Sequence, residues 1–182
     1  MRTICVPPAR VSGATAWELT LVLLVVATLW SMAVPAFTRL RQNAALTAAA
    51  NQMLLALHYA RSLAITRGVA VGVCQSQDGA RCAVAGASSV RFLVFINGDS
   101  DQPAQRDAGE ELMRAYEIAP TLSLRGTRAA INYWPAPRAG TTTTFAFCDS
   151  RRAAAPRAVI VSQTGRPRLA RTAADGGALA CP

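Results

Sequence analysis

The chain has 182 residues and carries 19 basic against 10 acidic side chains, a formal net charge of +9. Every basic residue is arginine, a balance that favours polyanions or anionic surfaces, and arginine grips phosphate bidentately and stacks on bases. One histidine, His58, and the lack of Gly-x-Ser-x-Gly, His-Glu-x-x-His and Gly-Lys-Ser/Thr motifs leave no catalytic constellation, so the chain reads as a non-enzyme.

The first stretch carries Arg2 and Arg10 and ends at Gly13. Gly13-Ala14-Thr15-Ala16-Trp17-Glu18 then leads into an uncharged run from Leu19 to Phe37, LTLVLLVVATLWSMAVPAF. A run of that length forms a helix of about 30 Å, enough to cross a bilayer. A carboxylate at its edge, Glu18, is costly in lipid and calls for a partner. Arg39 and Arg41 follow directly. A cleavable secretory peptide would place its cut after the apolar core, where Ser31-Met-Ala-Val-Pro-Ala36 imitates such a site.

This pattern resembles the class III signal of type IV pilins and type II secretion pseudopilins, whose usual form is Gly-Phe-Thr-Leu-Ile-Glu. Gly13, Thr15 and Glu18 match it, while Ala14, Ala16 and Trp17 depart. Pro35 sits where pilins often carry a proline. The resemblance implies cleavage by a prepilin peptidase between Gly13 and Ala14, with methylation of the new terminus. It also implies an assembly role for Glu18: its carboxylate pairs with the Ala14 amino group of a neighbouring subunit, each charge offsetting the other's burial cost.

Beyond Phe37 no glycine occurs until Gly68. Leu46, Ala50, Met53, Leu57, Ala60 and Ala64 recur at steps of three and four, an apolar stripe on an amphipathic helix. Arg61 and Arg67 suit the helix C-terminus, and Gly68 marks its stop. His58 reads as an exposed or packing residue. From Val69 the texture becomes β-like. Val69–Cys74 and Val90–Ile96 are strand candidates, separated by a Gly/Ser-rich loop. Asn97–Gly109 is polar and 110–118 follows it. Further segments lie near Leu122–Leu124, Ala130–Trp134, Thr141–Cys148 and Arg157–Ser162, with Gly and Pro in their turns. The domain reading is a leader over 1–13, a membrane or fibre-core helix over 14–38, an amphipathic helix over 39–68, and a β-rich head over 69–182. The fold class is α+β, a long N-terminal helix packed on a mainly antiparallel β head, as in type IV pilins.

Cys5 lies in the leader. Four cysteines remain, Cys74, Cys82, Cys148 and Cys181, and an even set in an exported domain reads as disulfides. Sequence proximity suggests Cys74–Cys82 and Cys148–Cys181. No Cys-x-x-Cys supports zinc. The acidic stretch Asp99, Asp101, Asp107, Glu110, Glu111 lacks the glycine and terminal glutamate of an EF-hand and reads as a polar hairpin loop. No metal or cofactor is expected.

Several segments resemble the FimT/GspH branch of minor pilins. They are Ala60-Arg61-Ser62-Leu63-Ala64-Ile65-Thr66-Arg67-Gly68, the strand ending in Cys74 with Cys82 soon after, Phe95-Ile96-Asn97-Gly98-Asp99 leading to Glu110-Glu111-Leu112, Phe147-Cys148-Asp149-Ser150-Arg151, and Ile160-Val161-Ser162-Gln163-Thr164-Gly165-Arg166. Their order carries the resemblance, which spans nearly the whole chain.

The C-terminal arginines carry the functional signal. Arg151, Arg152, Arg157, Arg166, Arg168 and Arg171 fall within 21 residues that hold no acid. Such clusters bind phosphate backbones by releasing counterions. In an extended Gly165-Arg166-Pro167-Arg168 the two guanidinium groups share a face about 6.5–7 Å apart, near the spacing of neighbouring phosphates. Gly165 permits a turn and Pro167 fixes its own φ. The segment also matches the Gly-Arg-x-Arg motif of FimT-like pilins that bind DNA in natural transformation. By that resemblance Arg166 and Arg168 are the DNA-binding pair, and Arg171, Arg151, Arg152 and Arg157 widen their patch. The expected partners are DNA, other pilins through the N-terminal helix, the prepilin peptidase, and the inner membrane before assembly. The head would face the periplasm and then the exterior. The alternative is a type II secretion pseudopilin or an assembly-priming minor pilin without DNA binding.

Overall fold

The computed structural model describes residues 15–135 and 142–181. Helix α1 spans Ala16–Arg67. Thr15 and Glu18 begin it as a capping box. The Glu18 carboxylate accepts the Thr15 N–H at 2.8 Å, and the Glu18 N–H donates to Thr15 Oγ1 at 3.3 Å. Two donors that helix geometry would leave orphaned are thereby satisfied reciprocally. The Gly13–Ala14 pair, where cleavage is expected, lies outside the described residues.

The chain divides into two compact units, Met1–Thr38 and Arg39–Pro182. In the first, α1 is long and apolar enough to cross a membrane, and none of its apolar window is buried. Trp17, Leu24, Trp30 and Phe37 are all exposed, and Pro35 lies within the helix.

In the second unit the remainder of α1 packs on a β head. Leu46, Ala50, Met53, Leu57, Ala60 and Ala64 are each at most 1 % exposed, so the stripe seen in the sequence is the buried face of the helix. Gly68 closes α1 with a left-handed φ of +70° while its N–H donates to Ala64 O.

Two four-stranded antiparallel sheets follow. The first comprises β1 (Val71–Ser76), β2 (Arg91–Ile96), β3 (Leu112–Glu117) and β5 (Ala130–Tyr133), in the order β3-β2-β1-β5. The second comprises β4 (Leu122–Gly126), β6 (Thr143–Asp149), β7 (Arg157–Val161) and β8 (Pro167–Ala170), in the order β4-β6-β7-β8. The period-two alternation of strands puts Val71, Val73, Phe92, Val94 and Ile131 on one face of the first sheet. It puts Leu124, Phe145, Phe147, Val159 and Val161 on one face of the second, and all of them join the α1 stripe in one core. The opposite face of the first sheet carries Cys74, Leu93, Phe95 and Ala130, covered by Ala104 and Cys82. Phe95 lies across Gly72, where a Cβ would run into its ring, so the close approach requires glycine.

Disulfides join Cys74 to Cys82 and Cys148 to Cys181, with Cα–Cα distances of 5.5 and 5.7 Å. The first ties the loop after β1 to its own strand. The second ties the segment beyond β8 to the face of β6 that turns away from the core. Two elements differ from the sequence reading. Residues 112–117 are a strand, held at the edge by the Arg91–Glu117 ion pair and by Tyr116 stacked on Phe92 at 4.7 Å. Residues 167–170 form a further strand, β8, beyond the last segment expected.

Candidate nucleic-acid interface

The β7–β8 hairpin turns through Gln163, Thr164 and Gly165. Gly165 N–H donates to Ser162 O at 2.9 Å, and Ser162 N–H donates to Arg166 O at 3.1 Å. Gly165 adopts φ +71°, the left-handed residue that closes a three-residue hairpin loop. Ser162 Oγ adds a hydrogen bond to Thr164 Oγ1 at 2.9 Å and accepts the Arg166 N–H at 3.2 Å. The turn is therefore fixed by its own backbone and one hydroxyl.

Register then aims the side chains. Pro167 opposes Val161 and Leu169 opposes Val159, on the core-facing side, whereas Arg168 opposes Ile160 on the outer side. Arg166, two residues before Arg168, shares that outer side, about 6.5–7 Å away along the strand. Both arginines are exposed, and neither side chain has an ion-pair or hydrogen-bond partner among the described residues. β8 is the edge strand of its sheet, and Pro167 at its first position is the placement an edge strand tolerates.

The other four arginines do not extend this face. Arg157 opposes Phe147 and shares the core-facing side with Val159 and Val161. Arg171, just past β8, lines with Arg157 a cleft against Thr47, Ala50 and Asn51 of α1. Arg151 and Arg152 sit in the turn after β6, where the Asp149 carboxylate accepts the N–H groups of Arg151 at 3.1 Å and Ala153 at 2.9 Å. That turn lies five residues along β6 from Thr144, the level of Arg168, a distance of about 17 Å. The six arginines thus occupy three places rather than one patch.

Sequence reasoning missed three contributors. Arg125 of β4 opposes Ala146, which opposes Ala158 and then Ala170, so it lies on the outer face of the same sheet, about 14 Å across from β8. Tyr133 lies beneath the hairpin turn. Its hydroxyl is buried without a hydrogen-bond partner among the described residues, and burial pushes it well above its ordinary range while the charge of Arg61 pulls the other way. The capping box at Thr15-x-x-Glu18 was legible as a helix-start signature and gives Glu18 a local partner within its own chain.

Among the described residues, no three His, Cys, Asp or Glu side chains converge as a metal site. Carboxylates of the 99–111 stretch serve the backbone around them or, for Glu111, pair with Arg67. Glu110 accepts from Gly98 N–H at 2.7 Å and Asp107 N–H at 3.1 Å, and Asp101 accepts from Gln105 N–H. His58 is exposed on α1.

Comparison with known proteins places this geometry in a family. No curated protein is detectably similar in sequence. The type IV minor pilin FimU of Pseudomonas aeruginosa PAO1 superposes with a TM-score of 0.51 at 20% identity, over 71% of this chain and 90% of that one. The minor pseudopilin EpsH of the Vibrio cholerae type 2 secretion system superposes with a TM-score of 0.50 at 15% identity, over 69% of this chain and 95% of that one. Both likenesses concern the fold, a long helix with a head of antiparallel sheets. The family of the type II transport protein GspH matches residues 49–165, most of the head and the helix half that packs on it. The chain therefore belongs to the GspH family, the FimT/GspH type of minor pilins and pseudopilins.

Proposed function

We propose that this minor pilin binds extracellular DNA, without sequence preference, for uptake in natural transformation. The observation that carries the reading is the Arg166–Arg168 pair: two exposed, unpaired guanidinium groups on one face of an edge strand, held by a turn that needs Gly165. A preformed pair loses little entropy on binding, and phosphate contacts position a duplex without reading its bases. In this reading a prepilin peptidase cuts after Gly13. Glu18 then pairs with the amino group of Ala14 on a neighbour, and Ala14 is methylated. The anchor holds the protein in the inner membrane, with the head in the periplasm and later outside.

A second reading is favoured by the family description as a type II transport protein. In it the chain is a secretion pseudopilin or an assembly-priming minor pilin, and Arg166 and Arg168 contact protein.

The test titrates the full-length chain, in detergent, against labelled duplex DNA at several salt concentrations, beside Arg166→Ala/Arg168→Ala. Two contacts from the hairpin and a third from Arg125 give an expected log–log salt slope of roughly −2 to −3. The DNA reading expects most of the affinity to vanish in the folded double variant. Absent binding, or equal binding by the variant, would leave the secretion reading.

A further inference from the structure

We infer that the cleft between α1 and the β7–β8 hairpin is a receptor for one carboxylate, carried by an aspartate or glutamate side chain of a neighbouring pilin. The cleft has a volume of about 420 Å³ and is lined by Thr47, Ala50, Asn51, Arg157, Leu169, Ala170 and Arg171. Arg157 is one of the lining residues, and its Nε is buried with no hydrogen-bond partner among the described residues. A guanidinium does not shed its proton in proteins, so this donor carries its desolvation cost uncompensated until an acceptor arrives. A second guanidinium, Arg171, lines the same space, and among the described residues no aspartate or glutamate does.

Three of the chain's acids are engaged elsewhere. Asp149, the nearest in sequence to Arg157, spends both oxygens on the N–H groups of Arg151 and Ala153. Glu111 and Glu117 pair with Arg67 and Arg91. Asp175, four residues beyond Arg171, accepts the Gly177 N–H, so the acceptor inferred for Arg157 is one carried by another molecule.

The lining also selects the form of the ligand. Two cationic forks and the Asn51 amide suit a carboxylate, which accepts two parallel N–H bonds. Ala50, Ala170 and the half-exposed Leu169 offer alkyl surface to a methylene arm. A phosphate on the broad cylinder of a duplex has no such arm with which to reach a buried Nε, whereas one extended acidic side chain does. One wall of the cleft, Thr47 to Asn51, belongs to α1, and minor pilins assemble with other pilins. The inference is independent of what Arg166 and Arg168 bind.

The test follows the arginine Nε–H resonances of the full-length chain, ¹⁵N-labelled at arginine and held in detergent micelles. The probe is N-acetylglutamate amide, with inorganic phosphate and a short DNA duplex as separate arms. The expected result is a saturable shift of the Arg157 Nε–H with the glutamate probe and a midpoint raised at least threefold by Arg171→Ala. Arg171 is exposed, so its removal leaves the core intact. The Arg166 and Arg168 signals are expected to stay in place with that probe. An unmoved Arg157 signal in folded protein would overturn the inference. So would a response to phosphate or duplex at lower concentration than to the glutamate probe, which would assign the cleft to nucleic acid.

Discussion

Gly165 lies against the ring of Tyr133: a Cβ at position 165 would sit 3.2 Å from Tyr133 Cε1. The contact joins the β7–β8 turn, in the second sheet, to the last residue of β5, in the first. The ring thus packs against the turn that sets the direction of Arg166 and Arg168.

Gly165→Ala should therefore act twice. The left-handed φ of +71° costs an L-residue about 1–2 kcal/mol, and the new methyl must displace the Tyr133 ring as well. Urea unfolding of the full chain in detergent should show a loss of at least that size. DNA affinity should fall in the same variant under conditions where it remains folded. A variant as stable as wild type would mean that the turn relaxes freely and does not aim the arginines.

The disulfides should rank by the loop that each closes. Cys148 and Cys181 are 33 residues apart and Cys74 and Cys82 are 8 apart. The chain-entropy account gives about 4 and 2.5 kcal/mol respectively. Cys148→Ser/Cys181→Ser should accordingly lower the unfolding midpoint more than Cys74→Ser/Cys82→Ser. The reverse order would show that packing at Cys74, which is fully buried, outweighs loop entropy.

Much of this was readable because it is periodic or paired. The α1 stripe repeats at three and four residues, and every member is buried. Residues 112–117 were opaque for a physical reason: β3 is an edge strand with most of its side chains exposed, so no alternation of apolar and polar residues marks it. β8 is absent from the strand candidates because it is short, basic and interrupted by Pro167, although the extended reading of Arg166-Pro167-Arg168 sets its two arginines on one face. The single basic patch was an effect of reading charge along one dimension. Arg157-x-Val159-x-Val161 already carried the correction, since period two sets Arg157 on the side of two core valines. The Tyr133–Gly165 contact joins residues 32 positions apart in sequence order, and no local pattern encodes it.

Glu18 has two roles that one substitution separates. Glutamine serves a capping box as well as glutamate does, because its carbonyl reaches the same Thr15 N–H. Glu18→Gln should therefore leave amide exchange at the start of α1 nearly unchanged in detergent. Incorporation into fibres should fall sharply if the carboxylate pairs with a neighbour's amino terminus, since only the charge has gone. Unimpaired incorporation would reduce Glu18 to a helix cap.

The loop closed by Cys74–Cys82 should carry its own acid sensitivity. Asp78 Oδ1 accepts the N–H groups of Arg81 at 2.9 Å and Ala80 at 2.8 Å and the Ser76 hydroxyl at 3.1 Å. These bonds, led by that from Arg81, hold the carboxylate down to about 2, against an ordinary value of 3.8. A depressed folded-state value means that the unfolded chain takes up the proton first as pH falls. The contribution is complete above about pH 4 and is lost as pH drops toward 2. In Asp78→Asn that part of the acid limb should vanish, so stability should fall less steeply between pH 4 and 2 than in wild type, from a lower starting value at neutral pH. Because Asp78 is solvent-exposed, the difference should be small and confined to the 76–82 loop, where amide exchange of Ala80 and Arg81 reports it directly. Parallel pH profiles for the two proteins at those amides would show that the loop is held by the disulfide alone.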